Sequence, residues 1–161
     1  MKAQRIEGAV ALVTGANRGI GRALTEALLA RGVKKIYAAA RNPATLVGPR
    51  DARLVPLELD VTDAAQVRAA VAAAPDVTLV FSNAGVTLNA ALTGAAVVEQ
   101  ARREMEVNYF GPLQLLQQLA PSLARNGGGA LVTVGSLAGL TNIPFFPTYS
   151  ASKARAAWVS E

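Results

Sequence analysis

A glycine-rich loop placed directly after an apolar run is the feature that most constrains how this chain folds. Residues 10–14 form an apolar run of strand length, the loop follows at residues 14–21, and residues 23–30 have helical spacing that ends at Gly32. The pattern predicts a strand, a tight loop and a helix in that order. This order is typical of α/β proteins.

Further apolar runs and helical patterns alternate along the rest of the chain. We expect strands at residues 35–40, 53–59, 77–81 and 130–134, and helices at residues 64–74, at about 97–125 and from about 148 onward. Residues 42–51 are too rich in Pro and Gly for a long helix, and Pro56 makes the third strand an edge-like or irregular one. Apolar strands that alternate with helices indicate a parallel sheet covered on both faces.

The predicted fold is a single α/β domain over residues 1–161, a three-layer doubly wound parallel sheet of the Rossmann type. We expect at least five strands in the order 3-2-1-4-5. A nucleotide ligand would lie over the carboxyl ends of strands one and four, where the strand order reverses. The 52% hydrophobic and 17% charged residues fit a soluble protein of this class.

Composition argues against several other classes of protein. The chain has neither His nor Cys, so we predict no metal site. No apolar stretch approaches the roughly 18 residues of a membrane-spanning helix, and the first residues lack the apolar core of a signal peptide, so we expect a cytoplasmic protein without a membrane partner. The net charge is +5, but the Lys and Arg residues are scattered, so we expect no nucleic-acid partner.

The glycines of residues 14–21 have the spacing of a phosphate-binding loop. Gly15 permits the turn out of the strand, Gly19 allows the backbone to approach a pyrophosphate closely, and Gly21 lets the helix pack on the strand. The amino end of the helix would then face the anion. A purely structural loop is the alternative, which the position directly after the first strand disfavours.

The second predicted strand ends at Ala40 and is followed by Arg41. Sites for the unphosphorylated dinucleotide usually have an acid here, which holds the ribose hydroxyls and would repel a 2′-phosphate. Arg41, with Arg18 in the glycine loop, offers planar donors to that phosphate, so we predict NADP(H) as the cofactor. Two solvated arginines are the alternative.

Tyr149 and Lys153 are four residues apart in the last predicted helix, and Ser136 lies thirteen residues before Tyr149. The two helical side chains share one face, so the Lys153 ammonium can stabilise the ionised phenol and make Tyr149 a proton donor near neutral pH. The alternatives are a strand-end cap for Ser136, a half-buried ring for Tyr149 and a solvated charge for Lys153.

Together these motifs resemble those of the short-chain dehydrogenase/reductase family in its classical NADP-preferring form, along the whole chain. Residues 14–21 resemble the TGxxxGxG loop, Asp60-Val61 the pair that contacts adenine, and Asn83-Ala84-Gly85 the NAG motif after the fourth strand. The resemblance implies the following cofactor-binding residues: Gly15, Asn17, Arg18, Gly19, Ile20, Gly21, Arg41, Asp60, Val61, Asn83, Ala84, Gly85, Tyr149 and Lys153.

The resemblance also implies a catalytic tetrad of Asn108, Ser136, Tyr149 and Lys153. In the family, the tyrosine protonates the substrate oxygen while hydride arrives from the nicotinamide, the serine hydrogen-bonds the same oxygen, and the lysine also holds the nicotinamide ribose. The implied function is NADPH-dependent interconversion of a carbonyl compound and an alcohol. Residues 137–146 are largely apolar and favour an apolar ketone or aldehyde as the substrate. Packing of this segment on a neighbouring subunit is the alternative.

Asn108 lies inside the long predicted helix, with Pro112 four residues later. Proline has no N–H, so the Asn108 carbonyl loses its helical partner, and ordered water is the usual replacement. This agrees with the proton relay that the family is thought to run through an asparagine-held water to the lysine. The alternative is a kinked helix with a satisfied polar side chain.

Family members are commonly longer, and the resemblance stops inside the catalytic helix, so the chain is C-terminally short. A catalytically idle nucleotide-binding or assembly module is therefore the alternative function. In the family, the long helix and the catalytic helix pack on a second subunit, so we expect a homodimer or homotetramer. The apolar residues on these segments are Val97, Val98, Met105, Leu113, Leu116, Ala154, Ala157 and Trp158.

Overall fold

A computed structural model describes residues 5–46, 51–88, 92–141 and 143–157, without the side chains of 155–157. It contains one parallel sheet with the strand order β3-β2-β1-β4-β5, which confirms the predicted fold class and order. The strands are β1 (Val10–Thr14), β2 (Lys35–Ala40), β3 (Leu54–Glu58), β4 (Leu79–Ser82) and β5 (Ala130–Thr133). Pro56 lies on β3, at the edge of this sheet, where a missing N–H is tolerated.

Helices follow the strands at the predicted places. They are α1 (Gly19–Ala30), α2 (Ala64–Ala73), α3 (Val97–Met105), α4 (Gly111–Arg125) and α5 (Pro147–Ala157), with short 3₁₀ turns at Pro43–Thr45 and Leu137–Gly139. α1 begins at Gly19 rather than at residue 23, because the end of the glycine loop forms its first turn. No helix of the described residues is long and apolar enough to cross a bilayer.

Side chains of β1 alternate between two hydrophobic cores, one on each face of the sheet. Both cores are built mainly from small and branched aliphatic residues. The core with α2 and α4 includes Val10, Leu12, Val67, Leu115 and Leu119. The core with α1 includes Ala11, Val13, Leu28, Leu29 and Ile36. Because helices cover both faces, all five residues of β1 are buried, as an apolar run without alternation predicts.

The long helix predicted over residues 97–125 is interrupted by a π-helical turn. This turn (Glu106–Phe110) separates α3 from α4, and the Gly111 N–H donates to the Glu106 carbonyl, five residues earlier. Pro112 cannot donate the usual bond to Asn108, and the wider turn lies directly before it. The turn holds Asn108 in the interior, 1% exposed. The expected water on the Asn108 carbonyl stays a prediction.

Gly21 lies where α1 packs most tightly on the loop before it. A Cβ at this position would lie 2.1 Å from the Gly15 carbonyl oxygen and 2.6 Å from Asn83 Nδ2. Helix propensity alone favours Ala over Gly by about 1 kcal/mol. The clash involves main-chain atoms, however, so we expect Gly21→Ala to lower the free energy of unfolding by about 2 to 3 kcal/mol in urea titrations.

Gly135→Ala is the matched control for this substitution, because a Cβ at Gly135 meets no atom of the described residues within 4 Å. We expect this control to unfold at nearly the same urea concentration as the parent chain. Equal unfolding free energies for the two variants would contradict the packing role of Gly21.

Candidate functional site

A cleft of about 600 Å³ lies at the carboxyl edge of the sheet. Because the strands are parallel, the segments that follow β1, β2, β3 and β4 meet at this edge, next to the point where the strand order reverses. Most of the predicted cofactor-binding residues line this cleft: Gly15, Asn17, Arg18, Gly19, Ile20, Arg41, Asp60, Val61, Asn83, Ala84 and Gly85. Gly21, Tyr149 and Lys153 lie outside the lining.

Two glycines of the loop that line the cleft have a left-handed backbone conformation. Gly15 has φ +65° and Gly19 has φ +52°. A Cβ on Gly15 would lie 3.1 Å from Asn83 Nδ2, so this glycine allows two loops to approach each other. A Cβ on Gly19 meets no described atom within 4 Å, so the left-handed backbone conformation, and not crowding by the protein, favours glycine here.

The amino end of α1 is suited to an anion. Its N-cap residue Arg18 makes no side-chain capping bond within the described part of the chain, and the first turn contains no acidic residue. N–H groups at such a helix end carry partial positive charge and have no intrahelical partner. A phosphate group can satisfy them.

Thr14 and Asn83 join the glycine loop to the segment after β4. The Thr14 hydroxyl accepts hydrogen bonds from the N–H groups of Asn83 and Ala84, each 2.9 Å long. The Asn83 carboxamide donates to the carbonyls of Thr14 and Gly15, at 2.9 and 3.3 Å. The Asn83 side chain therefore fixes the shape of the cleft at the switch point of the sheet.

Asp60 follows β3 and is an anion in the cleft. Its carboxylate accepts hydrogen bonds from the Thr62 N–H and hydroxyl, at 2.9 and 2.7 Å. Burial raises the pKa of Asp60, but the bonds from Thr62 and the positive charges of Arg103 and Arg41 outweigh that effect, so the pKa lies below its ordinary value. Asp60 therefore keeps its negative charge at neutral pH.

The segment after β2 carries a cation rather than a carboxylate. Arg41 is exposed, lines the cleft and makes no salt bridge among the described residues. Next to it, the Asn17 carboxamide donates to the Thr45 hydroxyl at 3.1 Å and connects the glycine loop to the 3₁₀ turn. The Arg41 guanidinium is therefore available to an anionic group in the cleft.

Lys153 is buried, 7% exposed, and lies one turn after Tyr149 on α5. Its ammonium donates to the Val134 carbonyl at 3.0 Å and lies 6.0 Å from the centre of the Tyr149 ring. Burial lowers the pKa of Lys153 below 10.5. The charge therefore lies in a poorly solvated place beside a half-buried phenol, where its electrostatic effect is strong.

Gly85 lies between the cleft and two of the predicted catalytic residues. It lines the cleft, and a Cβ there would lie 3.2 Å from Asn108 Oδ1 and 3.5 Å from Lys153 Nζ. Both side chains thus approach the chain directly after β4. The structure brings these two members of the predicted tetrad to the edge of the predicted cofactor site.

Ser136 follows β5, and its hydroxyl accepts a hydrogen bond from the Ala138 N–H at 3.2 Å. It caps the 3₁₀ turn Leu137–Gly139, which is the alternative role named for it above. A hydroxyl that accepts one bond can still donate its proton to another group. This contact is therefore compatible with a second role toward a substrate oxygen.

The Asn108 side chain is fully satisfied within the protein. Its carboxamide accepts from the Val86 N–H at 2.9 Å and donates to the Val86 carbonyl and the Ser152 hydroxyl, at 2.8 and 2.9 Å. Ser152 in turn donates to the Tyr149 carbonyl at 2.8 Å. Asn108 therefore holds both the segment after β4 and the first turns of α5.

Several residues that line the cleft belong to none of the motifs recognised in the sequence. Arg103 and Val107 line the cleft from α3 and the π turn, a segment in which Asn108 is the one predicted site residue. Asn42 and Thr45 also line it, and their position shortly after Arg41 could have indicated this. Thr14 belongs to the recognised loop, but its hydrogen bonds depend on β4, which is remote in sequence.

Comparison with known proteins adds evidence that is independent of this geometry. Residues 9–159 match the family model described as short chain dehydrogenase. A curated mouse protein, dehydrogenase/reductase SDR family member 7B, is 30% identical over 161 residues, which cover 92% of this chain and 50% of the mouse protein.

Two solved structures have the same fold and carry different cofactors. A short chain dehydrogenase from Burkholderia cenocepacia, in complex with NADP, has a TM-score of 0.90 and 44% identity over 96% of this chain and 65% of its own. A short chain dehydrogenase/reductase from Burkholderia phymatum, in complex with NAD, has a TM-score of 0.81 and 31% identity over 98% of this chain and 59% of its own. The chain thus spans between half and two-thirds of the length of these relatives.

Proposed function

The chain belongs to the short-chain dehydrogenase family, and on that premise we propose that it is an NADPH-dependent oxidoreductase that interconverts a carbonyl compound and an alcohol. The observation that carries the proposal is the position of Gly85, which lines the cleft and where a Cβ would lie 3.2 Å from Asn108 Oδ1 and 3.5 Å from Lys153 Nζ. The predicted cofactor site and the predicted catalytic residues therefore lie side by side.

The residues of the cleft fit a dinucleotide phosphate. Gly15 and Gly19 have left-handed backbone beside the cleft, and the uncapped amino end of α1 suits a pyrophosphate. Arg18, Arg41 and Arg103 line the cleft against one carboxylate, that of Asp60. This excess of positive charge, with no acid at the end of β2, supports NADP(H) over NAD(H). The NADP held by the Burkholderia cenocepacia relative agrees with this proposal.

Tyr149 is the proposed acid and base of the reaction. NADPH, when bound, supplies a hydride to the carbonyl carbon of the substrate. The Tyr149 hydroxyl gives its proton to the carbonyl oxygen as the C–H bond forms, and the Ser136 hydroxyl donates a hydrogen bond to the same oxygen. The buried Lys153 ammonium stabilises the phenolate that remains. In the reverse direction, Tyr149 takes the proton of the alcohol.

The segment between Ser136 and Tyr149 supports an apolar substrate. Its side chains Leu137, Leu140 and Phe145 are exposed by 76%, 82% and 81%. Large apolar side chains with this exposure mark a contact surface rather than a core. We therefore propose that the carbonyl substrate presents an apolar group to this segment.

We also propose that copies of the chain associate through α3 and α4. Val98, Phe110 and Leu113 on this helical segment are 62%, 46% and 41% exposed. Among the other residues predicted for this contact, Trp158 and the side chain of Ala157 lie outside the described residues. We expect light scattering to give a dimer or a larger species, and a stable monomer of 16.6 kDa would contradict the association.

Substitution of Tyr149 tests the proposed chemistry. The phenol is proposed to act on the substrate oxygen in the transition state, and Tyr149 lies outside the cleft lining, so we expect Tyr149→Phe to lower kcat by about 100-fold or more. We expect the Kd for NADPH to change by less than about threefold, which is below 1 kcal/mol. NADPH oxidation with an apolar ketone, followed at 340 nm, measures the first quantity, and calorimetric titration measures the second.

Tyr109→Phe is the matched control, because it removes a phenol from the π turn rather than from α5. Retained turnover in Tyr149→Phe would require a different acid and would contradict the proposed mechanism. Cofactor binding without turnover in the parent chain would instead support an idle nucleotide-binding module.

A further inference from the structure

Arg103 is a cation of the cleft that none of the sequence motifs indicates. It lies near the end of α3 and lines the cleft together with Arg41, Asp60 and Val107. Its side chain is exposed, and it makes no salt bridge or hydrogen bond among the described residues. A guanidinium in this position is available to a ligand.

Asp60 shows at which end of the cleft Arg103 acts. Asp60 follows β3 and Arg41 follows β2, so both belong to the end of the cleft that is remote from Gly85 and Lys153. The charges of Arg103 and Arg41 both act on the Asp60 carboxylate and stabilise its ionised form. Val107, one turn after Arg103, belongs to the same buried cluster as Val61, the residue after Asp60. A Cβ at Gly111 would lie 2.7 Å from Val61 Cγ2. The packing therefore also places Arg103 at the end of the cleft with Asp60 and Arg41, where a doubly wound fold places the adenosine part of a dinucleotide.

Arg103 adds to the positive charge of the cleft. The lining contains the guanidinium groups of Arg18, Arg41 and Arg103 and, among the described residues, one carboxylate, that of Asp60. Asp60 keeps its negative charge and offsets one of the cations, so Arg18 and Arg41 alone leave a net charge of +1 and Arg103 raises it to +2. A phosphate monoester carries about 1.5 to 2 negative charges near neutral pH, and the higher value is close to this charge.

We propose that Arg103 is a specificity-determining residue that binds the adenosine 2′-phosphate of NADP(H) together with Arg41. This inference rests on the proposed function, because it concerns the cofactor of the same cleft. Two guanidinium groups from different elements, the segment after β2 and helix α3, would then contact one phosphate. The planar donors of arginine suit this contact, and the exposed side chains have room to adjust to it.

Calorimetric titration of the parent chain and of Arg103→Gln with NADP⁺ and NAD⁺ tests this proposal. The two ligands differ only in the 2′-phosphate. We expect Arg103→Gln to raise the Kd for NADP⁺ by about tenfold, which corresponds to about 1.4 kcal/mol. The Kd for NAD⁺ should change by less than about twofold, since no phosphate contact is lost. Arg103→Lys, which keeps the charge but not the planar donors, should fall between the parent and Arg103→Gln.

Arg102→Gln is the matched control, because Arg102 is also exposed on α3 but lies outside the cleft lining. We expect it to bind both ligands like the parent. If Arg103→Gln binds NADP⁺ like Arg102→Gln, or loses affinity for NADP⁺ and NAD⁺ by the same factor, the proposal is overturned while the proposed function stands. If the parent binds neither ligand, the proposed function fails and this inference fails with it.

Discussion

The contact between the ends of β1 and β4 is the interaction on which the rest of the site depends. At this point the strand order reverses, and Thr14 and Asn83 exchange side-chain to main-chain hydrogen bonds across it. These bonds hold the glycine loop against the segment after β4. Gly15 and Gly21 allow the glycine loop to lie this close to its neighbours, because a side chain at either position would meet main-chain or carboxamide atoms.

The π turn between α3 and α4 connects α5 to the segment after β4. This wider turn lies directly before Pro112 and contains the buried Asn108. The Asn108 carboxamide binds the main chain of Val86 and the Ser152 hydroxyl. The helix that carries Tyr149 and Lys153 is thereby connected to the segment that lines the cleft. Asn108 thus couples the position of α5 to the shape of the cleft through hydrogen bonds to both.

The parts of this protein that depend on local sequence could be predicted, and those that depend on remote contacts could not. The strand at residues 10–14 and the glycine loop after it were predicted to within a few residues of their observed bounds. The strand order was predicted from the alternation of strands and helices, which is typical of a doubly wound fold. The π turn was missed because Pro112 predicts a lost hydrogen bond but not the way the helix adjusts. Arg103 was missed because only the folded chain brings α3 next to Asp60.

We propose that a cation at the end of β2, rather than a carboxylate, makes this cleft an NADP(H) site. The ratio of the Kd values for NADPH and NADH, measured at fixed salt in the parent chain and in Arg41→Asp, tests this proposal. We expect tighter binding of NADPH by the parent and a reversed or abolished preference in the variant, because the new carboxylate repels the 2′-phosphate. Equal affinities of the parent for the two cofactors, or a preference that Arg41→Asp leaves unchanged, would contradict it.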